Sequence, residues 1–195
     1  MNVFYLDHNP RRAAHFHCDK HVSKMIVEYA QILSTAHRVI DGNETIRISK
    51  NNRRLKYWEH PDHDLEVGLY LPTHVNHPSC IWTREASANY QWLYECFIHL
   101  GKIFEFRYGK LHATIEKLGC ILDKHPSNIP RRSQTPIKRA INDPAAQYCN
   151  VVDDVEAYRN FYVTKRGRMP MIWNRYDNVK PHWYSKHCEF APPIS

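Results

Sequence analysis

Several common signatures are missing from this 195-residue chain. It has no GxxxxGK[ST] run and no GxGxxG, so neither a P-loop nor a dinucleotide-binding turn is expected. It has no GxSxG nucleophile elbow. Nucleoside-triphosphate and hydride chemistry therefore find no support. The opening "MNVFYLDHNPRR" lacks the cationic start and long apolar core of a signal peptide. Nor does any later segment supply the roughly 18 uninterrupted apolar residues of a membrane span, so no membrane partner is expected. Six cysteines (Cys18, Cys80, Cys96, Cys120, Cys149, Cys188) include no CxxC pair. Free thiols in a reducing cytoplasm follow. Internal repeats and low-complexity tracts are also missing.

What is present is basic and aromatic. The formal net charge is +7, alongside 12 Tyr, 5 Trp and 7 Phe. Positive charge with many aromatic faces suits a polyanion whose bases can stack, so nucleic acid is the expected partner. Three segments concentrate this pattern: "NNRRLKYW" with Arg53 and Arg54, "PRRSQTPIKRA" with Arg131, Arg132, Lys138 and Arg139, and "KRGRMPMIWNRY" with Trp173 and Arg175. Such segments can neutralise phosphates while exposed Trp and Tyr stack on bases.

The pattern along the chain is mostly α, with residues 1–195 read as one compact helical domain. Residues 2–6 read as a strand or a buried extended arm. Asn9 is the candidate cap of a helix starting at Pro10, and no Gly or Pro interrupts it before about Ile40. Its core side is Cys18, Val22, Met25, Tyr29, Ile32 and Ala36, with Ile26 and Leu33 alongside. A basic hairpin is expected over residues 45–60, turning at Lys50, Asn51 and Asn52. A second long helix covers roughly Ser87–Tyr108, with Tyr90, Leu93, Phe97, Leu100 and Phe104 facing the core. A shorter one ends before Pro126. Residues 126–148 form an irregular Pro-rich connection, and a further helix covers about 152–164, followed by a basic aromatic tail.

Within the first helix, His17, His21, Lys24 and Glu28 recur at steps of four, three and four, which places them on one face. Two imidazoles, an amine and a carboxylate in one stripe of an otherwise apolar helix suit acid–base chemistry, with Glu28 as acid or base. The plain alternative is an i,i+4 Lys24–Glu28 salt bridge with two unremarkable histidines. A second cluster, "THVNHPSC", offers His74, His77 and Cys80. With His17 and His21 it could hold zinc, although "HCDKH" lacks the glutamate of a metalloprotease HExxH.

The stretches "HCDKHVSKMIVEYAQILSTAHR", "PTHVNHPSCIW" and "NYQWL" with "RYGKLH" resemble an uncharacterised family of tailed-phage proteins, especially marine ones. More distantly, the chain resembles the small helical phage pyrimidine-dimer DNA glycosylases of the endonuclease V type. In that family an N-terminal arm leads into a long helix with a D-x-H element, here Asp19 to His21. The catalytic glutamate follows the histidine by two turns, here Glu28. The resemblance implies a DNA glycosylase and abasic-site lyase whose nucleophile is an amine, with Glu28 assisting. An α-amine ordinarily titrates near 8, low enough to react at neutral pH. Lys20 or Lys24 could supply that amine instead, while His21 and Lys24 position sugar or phosphate. A zinc-dependent nuclease using His17, His21, His74 and His77 is the alternative enzyme. A non-catalytic nucleic-acid or host-protein binding module is the third reading.

Overall fold

A computed structural model describes residues 1–141, 145–174 and 180–193. Its architecture is mostly α, with eight α-helices and one two-stranded sheet among the described residues. No helix among them is long and apolar enough to cross a membrane.

The first helix starts where the sequence places it. Asn9 Oδ1 accepts the amides of Arg11 and Arg12, and Pro10 takes the first position of α1 (Pro10–His15). The expected continuation to Ile40 does not occur. The chain breaks at residues 16–18 and resumes as α2 (Asp19–Asp41). Distant groups impose the break. The Cys18 amide donates to Tyr162 Oη at 2.9 Å, and the Asp19 amide donates to the Ile172 carbonyl at 2.9 Å. The Ala13 carbonyl, meanwhile, accepts from the His17 imidazole at 2.8 Å. Backbone groups that would have joined the helical ladder are satisfied elsewhere, so the break leaves no unpaired amide there.

Beyond the break, α2 buries the expected stripe. Val22, Met25, Ile26, Tyr29, Ile32 and Leu33 are all fully buried. That face packs on α5 (Ser87–Tyr108) and on α4 (Pro78–Glu85). The bounds of α5 match the sequence reading, and its five expected core residues are buried. It stops at Gly109, whose φ of +66° is left-handed and whose amide caps the Glu105 carbonyl. The N-terminal stretch is a buried arm rather than a strand. The Val3 amide donates to Ser79 Oγ and the Phe4 amide to Tyr29 Oη. Val3 and Leu6 are fully buried, about 1.5–3 kcal/mol of apolar burial each.

The hairpin also forms as expected. Strands β1 (Asn43–Ile48) and β2 (Arg54–Glu59) pair antiparallel, Asn43 opposite Glu59 through Ile48 opposite Arg54. Asn52, at φ +57°, makes the turn, a conformation Asn tolerates. Three helices were not anticipated. They are α3 (His63–Gly68), capped by Asp62; α4, which opens on Pro78; and α8 (His182–Phe190), within the expected tail. The remaining helices are α6 (Ala113–Leu118), shorter than expected, and α7 (Asp154–Thr164).

Arg38 ties the hairpin to the helices. Fully buried, it ion-pairs with Glu66 on α3. It also donates to Tyr57 Oη at 2.9 Å and to the carbonyls of Trp58, Glu66, Leu69 and Tyr70. Burial works to raise the Glu66 pKa. Hydrogen bonds from Tyr57, the His60 amide and Arg38, with the Arg38 charge, outweigh it and hold the carboxyl down at about 2.

Candidate active site

Because the arm runs across the start of α2, it brings the first residues of the chain to Glu28. The Asn2 amide donates to Glu28 Oε2 at 3.1 Å, and the Met1 amine lies 3.7 Å from the same oxygen. Lys24 Nζ sits 3.3 Å from Oε1. The expected Lys24–Glu28 pair therefore exists, but within a three-donor set around one carboxylate.

Glu28 lines an open cavity of about 290 Å³. On its walls are His21 and Lys24 from α2, His77 from the start of α4, and Phe161, Lys165 and Arg168 from α7 and the residues after it. Lys165 was not anticipated. Burial first, then the charges of Arg168 and Lys24, lowers its pKa to about 8. Its ammonium lies 3.7 Å from the centre of the Phe161 ring. Only a sequence signal placing α7 against α2 could have found it, and neither helix carries one.

The stripe read from the sequence divides at the chain break. His21, Lys24 and Glu28 share the cavity, whereas His17 is fully buried behind it with both ring nitrogens engaged. Its Nδ1 donates to the Ala13 carbonyl, so its Nε2 accepts from Tyr29 Oη at 3.3 Å. Burial, with a smaller contribution from the Arg107 charge, pushes the His17 pKa down to about 4. His21 is stacked on Phe4 with ring centroids 5.0 Å apart, and its Nδ1 meets Tyr162 Oη at 2.8 Å. Burial, then the neighbouring His17 and Lys24, pushes it down to about 3, so it is a neutral ring at physiological pH.

Lys20 is exposed and lies off the cavity. Asp19 lies off it too: it pairs with buried Arg107 at 3.1 Å and accepts the Asn174 amide. The expected zinc set does not converge. Among the described residues no three of His17, His21, His74, His77 and Cys80 bring ligand atoms within 4.8 Å of one another. His74 is exposed and bonded to Thr73 Oγ1, and burial raises the Cys80 thiol to about 11, against thiolate formation.

No family model, curated protein or solved structure matches this chain. The site must therefore be read from its own chemistry.

The basic segments are less uniform than their sequences suggested. Arg53, Arg54, Arg131 and Arg132 are exposed and have no carboxylate partner among the described residues. Lys138 is instead paired with Glu85. Arg139 is paired with Asp154 and also bonds the carbonyls of Cys149 and Val152. Trp173 is buried, its indole N–H donating to the Phe16 carbonyl at 3.2 Å, so it cannot stack on a base. Trp82, Trp92 and Trp183 are buried as well. These aromatics build the core rather than an exposed stacking surface. Arg175 lies outside the described residues.

Proposed function

We propose that the chain is a DNA-processing enzyme of the glycosylase and abasic-site lyase kind, working by imine chemistry in the Glu28 cavity. The observation that carries this reading is one carboxylate contacted by two amines, in a cavity also lined by a third amine of lowered pKa. An amine titrating near 8 is neutral in roughly a tenth of molecules at pH 7, against far fewer than a hundredth for an ordinary lysine. Lys165 is thereby the nucleophile best prepared by its surroundings, with the Met1 amine beside Glu28 as the second candidate.

The neutral amine adds to C1′ of an abasic sugar, and loss of water leaves a protonated imine. Glu28 stabilises that positive charge and takes the proton from C2′. The 3′ phosphate leaves, and water then hydrolyses the imine to regenerate the amine. On an intact nucleoside the same attack at C1′ displaces the base, which must first be extruded from the duplex. Lys24 and Arg168 hold phosphate beside the cavity, and neutral His21 donates a hydrogen bond without adding charge. A phage-encoded repair enzyme of this type works in the host cytoplasm, where DNA and reduced thiols coexist.

Incubation with abasic-site and cyclobutane-dimer DNA in the presence of borohydride tests the proposal. The expected result is a reduced covalent adduct, with the modified peptide containing Lys165 or the chain's first residue. If neither DNA gives an adduct or a cleaved product, the enzyme reading fails and a nucleic-acid binding module is left.

A further inference from the structure

We propose that a second site, at the far end of α2, binds a divalent transition metal through His37, Asp41 and His60. His37 and Asp41 stand one helical turn apart on α2, and His60 follows β2 directly. One ligand atom from each lies within 4.8 Å of the others. Two donors bound to zinc at ~2.1 Å are roughly 3.4 Å apart in a tetrahedral site, so small side-chain rotations close the three onto an ion.

Unspent hydrogen-bonding capacity is the independent sign of a ligand. Both imidazoles are at least nine-tenths buried, yet among the described residues His37 Nδ1 and His60 Nε2 have no hydrogen-bond partner. Buried polar atoms left this way are costly, and two of them on histidines clustered with one carboxylate point to a common ligand. The opposite nitrogens are anchored. Tyr90 Oη donates to the Leu122 carbonyl and accepts from His37 Nε2 at 2.9 Å. That bond fixes the hydrogen on Nε2 and leaves the Nδ1 lone pair free, the arrangement metal-binding histidines use. Asp41 is oriented by the amides of Ser127 and Asn128 and by the Asn128 side chain.

His60 needs one adjustment. Its Nδ1 accepts the Asp62 amide at 3.1 Å, so metal binding at Nε2 moves the ring hydrogen to Nδ1 and releases that amide. Asp62 is exposed, and water can take over the bond. The three groups border an open cavity of about 550 Å³ that His125, Asp62 and Asp64 also line. Two imidazoles and a carboxylate suit zinc and its neighbours rather than calcium or magnesium. With three protein ligands, a coordination position is left for water facing the cavity. Nine residues of α2, about 13.5 Å along its axis, separate His37 from Glu28, so neither site's reading depends on the other.

The test uses the full chain, stripped with a chelator and titrated with Co²⁺. One equivalent should bind in the micromolar range or tighter, give visible absorption bands, and be displaced by one equivalent of Zn²⁺. Asp41→Asn, which keeps the side chain's shape, and His60→Gln should each weaken binding at least tenfold with unchanged far-ultraviolet circular dichroism. His74→Ala, at an exposed histidine outside the site, should leave it intact. Failure to bind one equivalent overturns the proposal, as does Co²⁺ binding that survives Asp41→Asn. Should His60→Gln not fold, the Asp41→Asn comparison decides alone.

Discussion

Two histidine clusters, one at the break before α2 and one near its far end, have opposite outcomes. At the break, His17 and His21 stand four residues apart in sequence, as His37 and Asp41 do within the helix. His17 spends both ring nitrogens on protein partners, and His21 is stacked on Phe4 and bonded to Tyr162. At the other end, two buried imidazoles each keep one nitrogen unpartnered. Spacing identifies residues that would share a face of an unbroken helix; the bonds left over identify those free to bind something else.

The largest test of this contrast is chemical. Glu28→Gln should retain DNA binding while turnover falls about 10²–10⁴-fold, the usual contribution of a positioned acid–base group. Binding and turnover measured on abasic DNA separate the two, and undiminished turnover would remove Glu28 from the reaction. Next comes stability. His17→Ala opens a cavity, strands the Ala13 carbonyl and takes the acceptor from the Tyr29 O–H, so urea unfolding should show a loss of about 2–4 kcal/mol. Metal-free His60→Gln should cost only about 1 kcal/mol, because Nε2 had no bond to lose and the one bond given up, from the exposed Asp62 amide to Nδ1, can be replaced by water. Equal losses at the two positions would break the comparison.

Acid supplies the finest distinction. His17 and His21 are buried as neutral rings with pKa values pushed below the unfolded 6.5, to about 4 and about 3. Below pH 6.5 the unfolded chain takes up protons that the folded chain refuses. Their contribution is thus complete above 6.5 and drains away as the pH falls towards 4. The slope approaches about 1.4 kcal/mol per pH unit for each ring. Urea midpoints at pH 7.5 and pH 5 should therefore differ. Replacing His17 with a neutral residue that folds should flatten the difference; an unchanged slope would mean that the ring titrates normally.

Much of the scaffold could be read from the sequence, because it rests on local signals. Asn9 before Pro10, the apolar stripe of α2, and the uninterrupted run into Gly109 each carry their own physical cause. The break at residues 16–18 could not be read, since its causes, Tyr162 and Ile172, lie more than 140 residues along the chain. Helices α3 and α4 did leave signals, in Asp62 as cap and Pro78 at the first position, but the short elements around them hid the pattern. Half of the Glu28 site was visible as His21, Lys24 and Glu28 on one helix. Lys165 and the arm's approach to Glu28 exist only once α7 and the N-terminal residues have folded onto α2. The exposed stacking surface failed for a different reason. Aromatic count says nothing about burial, and this chain spends four of its five tryptophans on the core.

The Arg38 clamp gives the hairpin a mechanical character. Its outer half carries the exposed Arg53, Arg54, Ile46, Ile48 and Leu55, with Arg47 reaching back to Glu66 on α3, while its root is gripped at Tyr57 and Trp58. A load on the tip is therefore delivered to a fulcrum at Arg38 and Glu66, one residue after His37 on α2 and beside His60 at the strand's end. Amide exchange should accordingly be fast over residues 49–53 and slow beyond Tyr57. The hairpin is a lever whose short arm ends at the histidines.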